Sequence, residues 1–124
     1  MNIRQSGEDY LEAMLVLQEE YRYIRSVDIA ERLGVTRPSV SYAVKRLKEK
    51  GYINMIPHGP IILTPAGTTI ARRTYERHKT LALFFETIGV SKEQAEEDAC
   101  RIEHVISQEA YAAICDLFNK KIVE

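Results

Sequence analysis

The sequence predicts a mainly α protein: a winged helix-turn-helix of three helices and a two-stranded wing, followed by a helical half. Three observations predict it. Two short segments with helical apolar spacing meet around Gly34, which stands where a left-handed C-terminal residue is wanted. Two β-prone runs, Tyr52 to Ile56 and Ile61 to Leu63, flank the turn signal Pro57-His58-Gly59-Pro60. From Thr64 onward every apolar pattern has helical period, punctuated by cap residues.

In chain order, Ser6 followed by Gly7, Glu8 and Asp9 offers an N-cap with acids in the first turn, and Tyr10, Leu11, Met14 and Leu17 supply the stripe of a helix running to about Glu20. Ser26 is expected to cap a short helix that buries Ile29, Ala30 and Leu33. Thr36 caps the next, with Pro38 tolerated in its first turn, Val40, Ala43, Val44 and Leu47 facing inward, and Gly51 ending it. Thr64-Pro65 starts a long helix to about Ile88, which Gly89 stops. Ser91 with Gln94 forms a capping box for a helix ending near Ile106. Ser107 caps the last helix, with Ala110, Ile114, Leu117 and Phe118 on its apolar face. The expected division is residues 1–64, the winged helix, and residues 65–124, the helical half.

A chain of 124 residues can bury one sizeable core. No run approaches the ~18 apolar residues of a membrane span, and no apolar signal core opens the chain, so a cytoplasmic protein is expected. Cys100 and Cys115 lie in no finger or redox spacing, which favours reduced thiols over a disulfide framework. The net charge of −1 conceals segregation. Residues 1–20 carry one Arg against five acids, 21–50 carry eight Lys/Arg against three acids, and 51–75 add Arg72 and Arg73 with no acid. From residue 76 ten acids face six bases, so acidic segments flank a basic block. Each charge taken singly reads as a solvated helix face, whereas the block suits a polyanion and its flanks suit cations.

A helix entering the major groove needs small or polar side chains in its first turns and positive charge behind them. Arg37, Pro38, Ser39, Ser41, Tyr42, Lys45 and Arg46 meet that need. Arg37 and Tyr42 are expected to reach base edges, and Ser39, Ser41, Lys45 and Arg46 phosphates. His58 on the wing, with Lys48 and Lys50, could follow the DNA backbone. The competing reading is a winged helix used as a protein–protein module. Cys100, Glu103 and His104 stand at i, i+3 and i+4, so one helix would bring them to one face, with Glu96 a turn earlier. Asp9 and Glu12 repeat the i, i+3 relation on the first helix, and His78 stands alone beside Arg77. Each pair alone reads as surface ion pairing, and lone His78 as structural. Together, carboxylates, imidazole and one thiolate suit first-row divalent metals.

The segments Glu8-Asp9-Tyr10-Leu11-Glu12, Asp28-Ile29-Ala30-Glu31-Arg32-Leu33, Pro38-Ser39-Val40-Ser41, Leu63-Thr64-Pro65-Ala66-Gly67, Arg77-His78 and Ala99-Cys100-Arg101-Ile102-Glu103-His104 together resemble the diphtheria-toxin-repressor family of metal-dependent regulators. The likeness covers nearly the whole chain. It implies a winged helix followed by a helical dimerisation and metal-binding domain, with operator double-stranded DNA bound by a homodimer once Mn2+ or Fe2+ is held; Co2+, Zn2+ or Ni2+ could substitute in vitro. The ligands it implies, carried over by position, are Asp9, Glu12, His78, Cys100, Glu103 and His104.

The manganese-responsive branch has acids matching Asp9 and Glu12 but usually a glutamate at the Cys100 position, whereas the iron-responsive branch usually has that cysteine with methionine at the Asp9 position. This chain combines the two patterns. Ala82 replaces an acid of the iron branch's ancillary site, and Glu96 stands where that branch has an ancillary histidine. The chain as given ends before the SH3-like domain that many iron-branch members carry, as in the short manganese branch. The expected function is therefore a metal-activated repressor of metal-uptake genes. Dimer contacts are expected near Leu83, Phe84, Phe85 and Ile88. The rivals are a winged-helix regulator sensing a small organic ligand and a metallohydrolase using metal-activated water. The chain has no motif for substrate beyond the ligands, which disfavours an enzyme.

Overall fold

Helix α1 (Gln5–Tyr21) buries Tyr10, Leu11, Ala13, Met14, Leu15 and Leu17. Burial at 13 and 15 as well as along the expected stripe makes it the axis of its unit, surrounded by neighbours on most sides. The computed structural model describes residues 5–57 and 59–123, and side chains for 7–57 and 59–120 of these. Ser6, expected to cap α1, instead falls inside it, one residue past its start at Gln5, and the wing contact expected of His58 lies outside what is described. The chain divides into two compact units, Met1–Arg73 and Thr74–Glu124.

In the first unit, α1 ends where Arg22 turns left-handed (φ 70). Helix α2 (Ser26–Leu33) starts one residue earlier than the capping expectation allows. Its N-cap is Arg25, which makes no side-chain cap bond and instead pairs through Nε with Asp28 at 2.9 Å. Ser26 is therefore the first helical residue and not the cap. Gly34 closes α2 at φ 67, a conformation that costs other residues about 1 kcal/mol or more. Helix α3 (Arg37–Glu49) is capped as expected: Thr36 Oγ1 accepts from the Ser39 backbone N–H at 3.2 Å, and Val40, Val44 and Leu47 are buried.

Strands β1 (Ile53–Met55) and β2 (Ile61–Leu63) pair antiparallel in the register Ile53↔Leu63, Asn54↔Ile62, Met55↔Ile61. Ile53, Ile61 and Leu63 point to the core. Ile61 also donates its N–H to the Ile24 carbonyl at 3.1 Å, a one-residue bridge that anchors the wing to the α1–α2 connection. Helix α4 (Pro65–Thr87) is fixed at its start by Thr64, whose hydroxyl donates to the Gly51 carbonyl at 2.7 Å and accepts from the Gly67 N–H at 3.2 Å. A Cβ on Gly67 would overlap the Tyr52 carbonyl oxygen, so glycine is what lets α4 lie against the wing.

In the second unit, α5 (Lys92–Ile102) and α6 (Gln108–Val123) pack with the C-terminal part of α4. Leu81, Ala82 and Ala99 form the buried centre, with Phe85, Ile102, Ile106, Tyr111 and Ile114 against it. Ala82 is thus a core residue whose small size lets α4 approach α5 at Ala99. Phe84 meets Phe118 edge-on at 6.4 Å. Ser91 caps α5 by accepting from the Gln94 N–H, but the Gln94 side chain bonds Asp98, so the expected box is half formed. Ser107 caps α6 through the Ala110 N–H at 3.0 Å. Ala110 and Leu117, expected on the apolar face of α6, are exposed.

Candidate metal centre and nucleic-acid interface

Helix α5 stops at Ile102, four residues before the expected Ile106, so Glu103 is its C-cap and His104 sits in the turn beyond. The reason is tertiary. Arg77 Nη1 donates to the carbonyls of Glu103 (3.2 Å) and Ile106 (3.3 Å), its Nη2 donates to Gln108 Oε1 (2.7 Å), and its guanidinium lies 4.9 Å over the Tyr111 ring. One arginine on α4 therefore holds the turn that carries two of the expected ligands. Only its place beside His78 hinted at it in the sequence.

Glu103 is the focus of the second unit's polar cluster. Its side chain is fully buried; Oε2 lies 3.1 Å from His78 Nδ1 on α4, and Oε1 lies 3.2 Å from His104 Nε2. The second approach is of ion-pair length but not aligned as a hydrogen bond, and Oε1 has no hydrogen-bond partner among the described residues. Burial raises the pKa of Glu103, but its close approaches to the His104 and His78 imidazoles and their charge outweigh it and leave the group below its ordinary 4.5. An ionised, buried carboxylate with an unsatisfied oxygen between two imidazoles is costly unless a cation shares it. That donor set fits a divalent transition metal.

His78, Glu103 and His104 are brought together as the sequence implied. Cys100 is exposed on α5, one turn before Glu103. Asp9 and Glu12 lie on α1 in the first unit, both half-buried. Sequence reasoning left the role of Glu96 open: its Oε2 lies 2.6 Å from His78 Nε2, on the edge of the ring away from Nδ1. Periodicity along α5 cannot reveal a contact made to another helix.

On α3 the buried face is Val40, Val44 and Leu47, and Arg37, Pro38, Ser39, Ser41, Tyr42, Lys45 and Arg46 are all exposed on the other side. Arg46 donates through Nη1 to the Tyr42 hydroxyl at 3.0 Å, its guanidinium 5.5 Å from the ring centre. Tyr42 and Arg46 thus present one pre-arranged aromatic and cationic pair. Ser39 Oγ accepts from the Thr36 hydroxyl at 2.9 Å, which ties it to the helix start.

A winged helix with an exposed basic face and a second, helical unit with a divalent-cation donor set define a metal-responsive DNA-binding regulator. Residues 2–59 match the family described as the iron dependent repressor N-terminal DNA binding domain, and residues 64–121 its metal binding and dimerisation domain. The transcriptional regulator MntR of Salmonella typhimurium is 42% identical over 110 residues, spanning 89% of this chain and 70% of that one. The HTH-type transcriptional regulator MntR of Geobacillus kaustophilus is 40% identical over 112 residues, spanning 90% and 79%. Among solved structures, a manganese-dependent transcriptional repressor in complex with manganese superposes with a TM-score of 0.83 at 26% identity, over 91% of this chain and 52% of that one. T. acidophilum IdeR gives 0.79 at 29% identity, over 96% and 55%. The chain spans about half the length of these solved structures. It belongs to the iron-dependent-repressor family of metal-dependent transcriptional regulators. That is a family of regulators and not a class of enzymes.

Proposed function

We propose that this chain is a metal-activated repressor of metal-uptake genes, responsive to Mn2+ or Fe2+, that binds operator double-stranded DNA as a homodimer in the cytoplasm. The observation that carries the reading is Glu103, its side chain fully buried between His78 and His104, with one oxygen that has no hydrogen-bond partner among the described residues. In this reading the metal ligands are Asp9, Glu12, His78, Cys100, Glu103 and His104. Residues 1–64 form the DNA-reading domain and residues 65–124 the dimerisation and metal-binding domain.

Bound metal would supply a positive centre shared by the carboxylates of α1 and the side chains of α4, α5 and the following turn. Any ligand that binds one arrangement of a protein better than another shifts its population toward that arrangement. A ligand set divided between the two units can therefore couple metal to the presentation of α3. Arg37 and Tyr42 then read base edges, Ser39, Ser41, Lys45 and Arg46 set the register on the phosphates, and Pro38 lies among them on the DNA-facing side. Leu83 and Ile88 are about half exposed, at 50% and 52%, as residues of a dimer face would be in a single chain. No described helix is long and apolar enough to cross a membrane.

The test is operator binding, measured anaerobically by fluorescence anisotropy with chelator and with each metal. Manganese or ferrous ion should raise affinity about tenfold or more, the scale of ordinary allosteric coupling. Equal binding in chelator and in metal would sink the reading.

A further inference from the structure

Resting on that metal-site reading, we propose that Glu96 is a positioning residue: it holds the Nε2–H of His78 and so commits His78 to ligate metal through Nδ1. Both ring nitrogens of His78 face carboxylates, Nε2 at 2.6 Å from Glu96 Oε2 and Nδ1 at 3.1 Å from Glu103 Oε2. An ionised carboxylate can only accept, and a neutral imidazole has one N–H to give. A protonated ring would donate to both carboxylates, but a metal ligand must give up one of those protons, so once metal is bound one contact is a hydrogen bond and the other faces the ion.

The surroundings decide which is which. On the Nδ1 side Glu103 is fully buried, a second imidazole stands 3.2 Å from its other oxygen, and that oxygen has no hydrogen-bond partner among the described residues. On the Nε2 side stands Glu96, with half of its side chain in solvent. A single ion cannot use both edges of the ring, because the two lone-pair directions diverge. The buried side with converging donors is the metal side, and Glu96 is the outer carboxylate. Metal-binding histidines generally donate their other ring N–H to such an acceptor, which fixes the tautomer and raises ligand basicity. Glu96 comes from α5 and His78 from α4, so the pairing also aligns the two helices that carry the second unit's ligands.

The experiment uses the full chain with 15N-labelled histidine, two-bond 1H–15N correlation spectra and a titration with Zn2+, which is diamagnetic. Zinc should move His78 Nδ1 to a metal-bound shift while Nε2 keeps its proton. Glu96→Ala should lower zinc affinity roughly 10- to 100-fold and mix the His78 tautomers, with Glu96→Gln largely restoring both because its amide oxygen still accepts. Glu97→Ala, one residue along and paired only with Arg101 in the described contacts, serves as the control and should change neither. Zinc on Nε2, or unchanged affinity and tautomer in Glu96→Ala, would overturn the proposal while leaving the metal site standing. If zinc moves neither nitrogen of His78, the metal-site reading falls and this inference with it.

Discussion

A thiolate is softer than a carboxylate, so Cys100 in the ligand set favours iron, cobalt and zinc over manganese relative to a glutamate there. Cys100 lies exposed on α5 one turn before Glu103, whereas Cys115 is half-buried on α6 beside Tyr111. The two cysteines therefore make a matched test. Cobalt bound by the protein should show a near-ultraviolet thiolate charge-transfer band that disappears in Cys100→Ser and persists in Cys115→Ser. Cys100→Glu should shift metal activation of DNA binding toward manganese. A band that survives the loss of Cys100 would make it a surface residue beside an all-oxygen and nitrogen site.

Local signals decide an element's ends only where no other element intervenes. Thr36, Ser91 and Ser107 cap their helices as their sequence context implies, because a cap needs only the next three residues. Ser26 fails because Arg25 and Asp28 close a competing ion pair at the same helix start. The end of α5 was illegible, since Arg77 on another helix captures the carbonyls of the turn. The Ile24–Ile61 bridge was illegible too, because one residue has no period to read. The exposed basic side of α3 and both wing strands were legible, being carried by spacing within single elements. Gly67 shows a sequence signal whose reason appears only in three dimensions: α4 lies on the Tyr52 carbonyl there. Gly67→Ala should destabilise the winged helix by about 1 to 3 kcal/mol, the usual cost of overpacking, despite alanine's better helix propensity. Thermal denaturation checks it: a Tm equal to or above the parent's would mean that the wing yields freely.

At the scale of the whole molecule, a basic block lies between acidic segments in the sequence, and the proposed ligands fall in the acidic ones: Asp9 and Glu12 before the block, His78 to His104 after it. The two compact units have separate cores, the first centred on α1 and the second on Leu81, Ala82 and Ala99. Each could therefore open independently, since local stability follows local burial. A ligand bound only by the folded state adds RT ln(1 + [L]/Kd), about 2.7 kcal/mol at 100 times Kd. The location of that gain identifies the ligands. If the metal is held by α1 together with α4, α5 and the turn after it, saturating Mn2+ should slow amide hydrogen exchange along α1 as well as along α5. In Asp9→Ala or Glu12→Ala the slowing should shrink at α1 first, with operator affinity in metal falling alongside it. Protection confined to residues of the second unit, unchanged by either substitution, would show that the metal is held there alone and that Asp9 and Glu12 are not ligands.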